Sequence, residues 1–268
     1  MKRLRKFELL LNDLHKKTEE DYFKYIGTGK PTADILIIGK EASISKQEKP
    51  NQYKSEVAKN FYDWKKIIEN GDFDQKRIPY PESVEYQTPL YPYKGQLLKI
   101  DNGSNKGTSR TWFTYQKLYN RIYNKNDNHK IDFHEGIFIT EVNANPSRKT
   151  ASADTDTVEF RKQSILSSQF VKDFPIVILA GVGYFDTIKQ RTEDINEVEK
   201  IFGVRFQEQK LADGKDHQPY WIHWNHDKTR LLINTYQLSM GIADKLLDEI
   251  AEEIKKSGLL NKSVPTSE

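Results

Sequence analysis

Four short runs of this chain are apolar almost throughout, and each gives way at its carboxyl end to a polar or glycine-rich segment. They are Ile35-Leu36-Ile37-Ile38, Ile137-Phe138-Ile139-Thr140, Ile176-Val177-Ile178-Leu179-Ala180 and Leu231-Leu232-Ile233. A strand with one wet face alternates apolar and polar residues; a strand that does not alternate is covered on both faces, as in a parallel sheet between helical layers. Segments with helical spacing separate the runs: residues 55–69, 112–123 and 158–172, the last with Val158, Ile165 and Phe170 as apolar positions. After the fourth run, Ile242, Leu246, Leu247, Ile250 and Ile254 form an amphipathic helix. The pattern predicts an α/β fold, three-layer α/β/α with a central, mainly parallel four-stranded sheet.

Two additions flank that core. Leu4, Phe7, Leu11 and Leu14 share one helical face, predicting an N-terminal helix ended by Gly27, Gly29 and Pro31. Val204-Arg205-Phe206 and Tyr220-Trp221-Ile222-His223-Trp224, around a turn near Asp213-Gly214, predict a small β-hairpin insertion. Residues 71–108 are rich in Pro, Tyr, Gly and Asn and read as a long irregular excursion, a type of segment that is often functional. One domain is expected over residues 1–258, with a flexible tail over 259–268.

Composition narrows the chemistry. The absence of cysteine excludes disulfides, thiolate zinc sites, cysteine nucleophiles and cysteine-held iron–sulfur clusters. It makes the cytoplasm the expected compartment. No apolar run approaches the roughly 20 residues that span a bilayer. The start, MKRLRKFELLLNDLHKK, lacks the apolar core and cleavage site of a signal peptide. A net charge of +3 permits a nucleic-acid partner without requiring one. Aromatic residues make up 12% of the chain, many in polar contexts where they can stack on bases.

Ligands of open α/β sheets gather at the carboxyl ends of the strands. Here those ends lead into Gly39-Lys40-Glu41-Ala42-Ser43, Glu141-Val142-Asn143-Ala144-Asn145-Pro146, Gly181-Val182-Gly183 and Asn234-Thr235-Tyr236-Gln237-Leu238-Ser239. His223 and His226 supply two imidazoles where a zinc site needs three or four converging ligands, so no metal is expected. The Gly181 loop lacks the full dinucleotide fingerprint.

The ordered set IIGKEAS, IFITEVNANPSRK, FPIVILAGVGYFD and LLINTYQLSMG resembles the successive motifs of the uracil-DNA glycosylase superfamily. In that family the loop after the first strand carries the residue that directs water, and the last loop enters the DNA minor groove and contacts the target base. The match has departures: Ala42 replaces a usual Pro, Glu141 stands where a base-recognising Asn often ends the second strand, and Gln237 stands in place of His. The resemblance implies a glycosylase that removes uracil or another altered base from single- or double-stranded DNA without a cofactor. Glu41 would direct water and Gln237 would assist the departing base. Asn143 would read the base, and Trp112 or Phe113 would stack on it. Gly39, Lys40 and Ser239 belong to the same substrate-binding loops, and Arg110, Arg148 and Lys149 would hold phosphates. Bland readings compete: Glu41 as a helix cap or surface charge partner, Ser239 and Gln237 as caps of a helix starting near Met240, Trp112 and Phe113 as core, Arg148 and Lys149 as solvated charges, and Asp154 and Asp156 as helix-dipole partners. A non-catalytic nucleic-acid- or partner-binding member of the fold is the alternative. A small-molecule enzyme using the Gly181 loop is a third reading.

Overall fold

The computed structural model describes residues 2–44, 46–73, 86–93, 96–97, 108–126, 130–147, 153–185, 196–212, 218–239 and 241–260. The four apolar runs form the parallel centre of the sheet: β2 (Ile35–Gly39), β3 (Ile137–Glu141), β4 (Ile176–Leu179) and β7 (Leu231–Thr235). The sheet has seven strands, not the expected four. A two-residue strand, β1 (Thr28–Gly29), pairs antiparallel with β3. The hairpin strands β5 (Arg205–Leu211) and β6 (Pro219–Trp224) extend the other side through antiparallel pairing of β6 with β7. The order is β1-β3-β2-β4-β7-β6-β5. The hairpin is thus a continuation of the central sheet, because Tyr220 and Ile222 are buried and need the layer that β7 shares.

The pleat sorts side chains between two cores. Leu36, Ile38, Phe138, Val177, Leu179 and Leu232 face a layer containing α1 (Lys2–Lys17), α3 (Asn60–Asn70), α5 (Asp156–Arg161), α6 (Gln169–Lys172) and α7 (Glu197–Phe202). Ile35, Ile37, Ile137, Ile139, Ile176, Ile178 and Ile233 face α4 (Arg110–Tyr123) and α8 (Asp244–Ser257). Each fully buried aliphatic side chain contributes about 1.5–3 kcal/mol, so the two-sided runs are the main stabilising element.

Several helix boundaries differ from the sequence reading. The segment expected as one helix over 55–69 is α2 (Pro50–Tyr53), a π turn over Lys54–Ala58 and then α3. The segment over 158–172 is likewise interrupted by a π turn at Lys162–Leu166. Helix α8 begins at Asp244 after Ala243, with no side-chain cap, so neither Gln237 nor Ser239 caps it. Leu259 and Leu260, placed in the expected tail, pack against the α4/α8 core. The turn near Asp213-Gly214 lies outside the described residues. Among the described residues no helix is long and apolar enough to cross a membrane.

One local device positions the floor of the site. Asn60 is fully buried, accepts from the backbone N–H of Ile26 at 2.9 Å and donates to the Gly27 carbonyl at 2.9 Å. Trp64 Nε1 donates to the same carbonyl at 2.9 Å. Gly27 has φ +132°, and a Cβ there would collide with the Ile139 carbonyl, so only glycine lets this segment press against β3. Tyr25 and Thr28 are thereby fixed at the carboxyl end of the sheet.

Candidate active site

Strands β2 and β3 are in register with Gly39 opposite Glu141, so their loops leave the sheet side by side. Three backbone bonds lace the loops together: Val142 N to Gly39 O at 2.8 Å, Asn143 N to Lys40 O at 2.8 Å, and Ser147 N to Ala42 O at 2.9 Å. Glu41 and Glu141 consequently line one cavity of about 450 Å3, within the size range of small-ligand pockets. Tyr25, Tyr86, Tyr93, Trp112 and Tyr115 supply its aromatic walls, and Gln52, Glu56, Gln96 and Gln237 add polar groups.

The two carboxyl groups sit in different surroundings. Glu141 lies over Gly39, where a Cβ would collide with its Oε2 and come within 3.2 Å of the Tyr115 hydroxyl. Burial, then the neighbouring charge of Glu41, push the Glu141 carboxyl up to about 8, against a smaller opposing pull from Arg161. Arg161 is fully buried, but its N–H groups are spent on oxygens other than that carboxylate. Nε and Nη2 donate to the Glu141 carbonyl at 3.0 and 2.8 Å, Nη2 also to Thr140 Oγ1 at 3.0 Å, and Nη1 to the Tyr25 carbonyl. Glu41 accepts from the Tyr184 hydroxyl at 2.6 Å, and the carboxylate helps raise that phenol to about 12, after burial. A third acid, Glu56, accepts from Tyr93, and burial raises it too. Burial therefore favours the neutral form of Glu141 and of Glu56, two of the three acids among the described lining residues.

Gly39 gives a direct check on this packing. Gly39→Ala is expected to displace the Glu141 carboxyl while costing the fold no more than about 1 kcal/mol, because the colliding Oε2 is the free end of a flexible side chain. Chemical denaturation measures the cost; a loss above about 3 kcal/mol would mean that the carboxyl is locked over residue 39 and cannot swing aside.

The sequence candidates divide on this geometry. Glu41, Trp112 and Gln237 line the cavity. Trp112 is held edge-on by Tyr93, Phe133 and His134, at centroid distances of 5.5, 5.7 and 5.0 Å. Phe113 does not line it and instead packs under Lys117, whose Nζ is 5.5 Å from the ring centre. Asn143 is fully buried and structural: Nδ2 donates to the Asp154 carbonyl at 2.8 Å, while Oδ1 accepts from Thr157 at 2.7 Å and from Asn145 N at 2.9 Å. Its amide is occupied inside the loop, and Nδ2 also lies 3.3 Å from the Tyr184 hydroxyl that donates to Glu41. Lys40 turns away, towards Gly183, and Ser239 is partly buried outside the cavity. Arg110 is exposed on α4, between Ser109 and Thr111, both lining residues. Arg148 and Lys149 lie outside the described residues, as do residues 186–195 after the Gly181 loop. His223 is buried in β6 while His226 is exposed beyond its end, and among the described residues no cluster of His, Asp and Glu is fit to hold a metal.

Sequence reasoning missed Tyr25, Glu56, Tyr86, Tyr93, Tyr115 and Tyr184, and treated Glu141 only as a departure from a motif. Tyr86 and Tyr93 come from described parts of the 71–108 excursion, whose composition was the signal that it serves the site. The fold and cavity define an α/β protein with a paired-carboxyl site at the ends of its central strands. Comparison with protein-family models, with curated proteins and with solved structures finds no match to this chain.

Proposed function

We propose that this chain is a divergent member of the uracil-DNA glycosylase superfamily that hydrolyses the N-glycosidic bond of an altered base in DNA. The observation that carries the reading is the pair Glu41 and Glu141 in one aromatic-walled cavity at the carboxyl ends of adjacent parallel strands. Breaking the bond develops positive charge on deoxyribose, and a carboxylate beside the sugar stabilises that charge and orients water. Glu41 takes this part, held by Tyr184. A base extruded from the stack enters the cavity and lies against Trp112, with the Gln237 amide at hand for its polar edge. Exposed Lys49 and Arg110 at the cavity rim meet the phosphates.

The test is an alkali-cleavage assay on labelled single- and double-stranded oligonucleotides carrying uracil, hypoxanthine or xanthine. Strand scission at the altered base by wild-type protein, together with DNA binding that weakens as salt rises, is expected. Binding without scission would move the chain to the non-catalytic reading, and neither would remove DNA as its partner.

A further inference from the structure

We propose that Glu141 is the general acid of this site and that the base it expels is a purine. The proposal rests on the glycosylase reading and assigns its substrate class. A pyrimidine such as uracil departs as an anion whose charge spreads onto carbonyl oxygens, and it needs donors aimed at those oxygens. A purine departs readily once its imidazole nitrogen is protonated, and it needs an acid. Among the described residues that line the cavity there is no histidine, whereas a second carboxyl stands beside the water-directing one. Two carboxyl groups in unlike surroundings within one cavity are the usual arrangement for dividing acid and base duties.

The surroundings of Glu141 suit an acid. Glu41 faces it from the loop after β2, Tyr25 from the segment before β1 and Tyr115 from α4. Arg161 faces it from α5, and Tyr184 from the turn after β4. Burial among these groups favours the protonated carboxyl at neutral pH. The cavity also offers heteroatoms for a purine edge. Thr28 Oγ1 and Thr108 Oγ1 are buried and without a partner among the described residues, on side chains 5% and 3% exposed that line the cavity. An unmet buried hydroxyl is unfavourable, and each can donate or accept.

In the step itself the C1′–N9 bond breaks and its electron pair passes to the purine. The proton leaves the Glu141 carboxyl for N7. The water oxygen bonds to C1′, and its proton passes to the Glu41 carboxylate. The products are the free purine and an abasic deoxyribose. Glu141 is left charged and Glu41 protonated until the proton returns through solvent.

The experiment compares single-turnover release of hypoxanthine, 7-methylguanine and uracil from matched oligonucleotides by wild type, Glu41→Gln and Glu141→Gln. Wild type is expected to release hypoxanthine faster than uracil, at a rate that falls as pH rises through about 8, where Glu141 loses its proton. Glu141→Gln should lose about 100-fold on hypoxanthine. It should lose far less on 7-methylguanine, whose imidazole ring is already cationic, while Glu41→Gln loses on both. The wild-type pH profile needs no variant and so stands even if Glu141→Gln folds poorly. Uracil release without purine release would overturn this proposal and leave the glycosylase reading intact. Equal losses by Glu141→Gln on both purines, or a flat wild-type profile through pH 8, would also overturn it. Release of no base would overturn both.

Discussion

Arg161→Met is expected to lower stability by about 3–5 kcal/mol, the largest loss from any single substitution considered for this fold. The guanidinium is fully buried, and it ties the carbonyls of Tyr25 and Glu141 to the Thr140 hydroxyl. These oxygens belong to the segment before β1 and to the end of β3, two stretches that also meet through the two-residue pairing of β1 and a 2.6 Å hydrogen bond from the Thr140 hydroxyl to the Ile26 carbonyl. Burial lowers the guanidinium to about 10, which still leaves it charged at neutral pH. Methionine fills much of the volume but leaves those acceptors short of a donor, at about 1–3 kcal/mol for each that stays unsatisfied. Lysine keeps the charge but not the planar fork, so Arg161→Lys should fall between wild type and Arg161→Met. Urea unfolding of the three proteins at pH 7 checks the order. A Met variant within about 1 kcal/mol of wild type would show that water replaces the guanidinium and that the site floor is wet.

The parts of this structure that can be read from sequence are those fixed by local pattern. β2, β3, β4 and β7 announce themselves because burial on both faces leaves no polar alternation. The strand-end rule then finds Glu41 and Gln237 without knowledge of any contact. β1 is too short to carry a period, and its two residues pair with β3 only because Gly27 and Asn60 seat the preceding chain. The hairpin of β5 and β6 is visible as a hairpin, yet nothing local says that β6 adds to β7. The π turns are equally silent, and one of them carries Glu56 and Val57, both of which line the cavity. Glu141 shows the limit most sharply. As a letter it is a mismatch to a motif; its character comes from Gly39 beneath it, Glu41 beside it and an Arg161 whose hydrogen bonds go elsewhere. The tyrosine walls arrive from three separate segments, so no spacing could have grouped them.

Glu41→Gln is expected to reduce base release by about 10²–10⁴-fold while leaving the fold within about 1 kcal/mol of wild type. The amide keeps the size of the carboxyl group, and its oxygen still accepts from Tyr184, so the substitution removes charge and little else. On the proposed mechanism, loss of that charge removes both the stabilisation of the cationic sugar and the acceptor for the water proton. Tyr184→Phe separates position from charge: the carboxylate remains but its 2.6 Å hydrogen bond does not. A reduction of about 10-fold is expected there, with the wild-type ratio of purine to pyrimidine release preserved. Should Glu41→Gln release base as fast as wild type, the water must be directed by another group, and Glu56, the third acid on the cavity wall beside Glu41 and Glu141, is the next to replace. Should Tyr184→Phe be as damaging as Glu41→Gln, the hydrogen bond rather than the charge is what the chemistry requires. Glu41 would then act only in the single geometry that Tyr184 and the Asn143 loop impose.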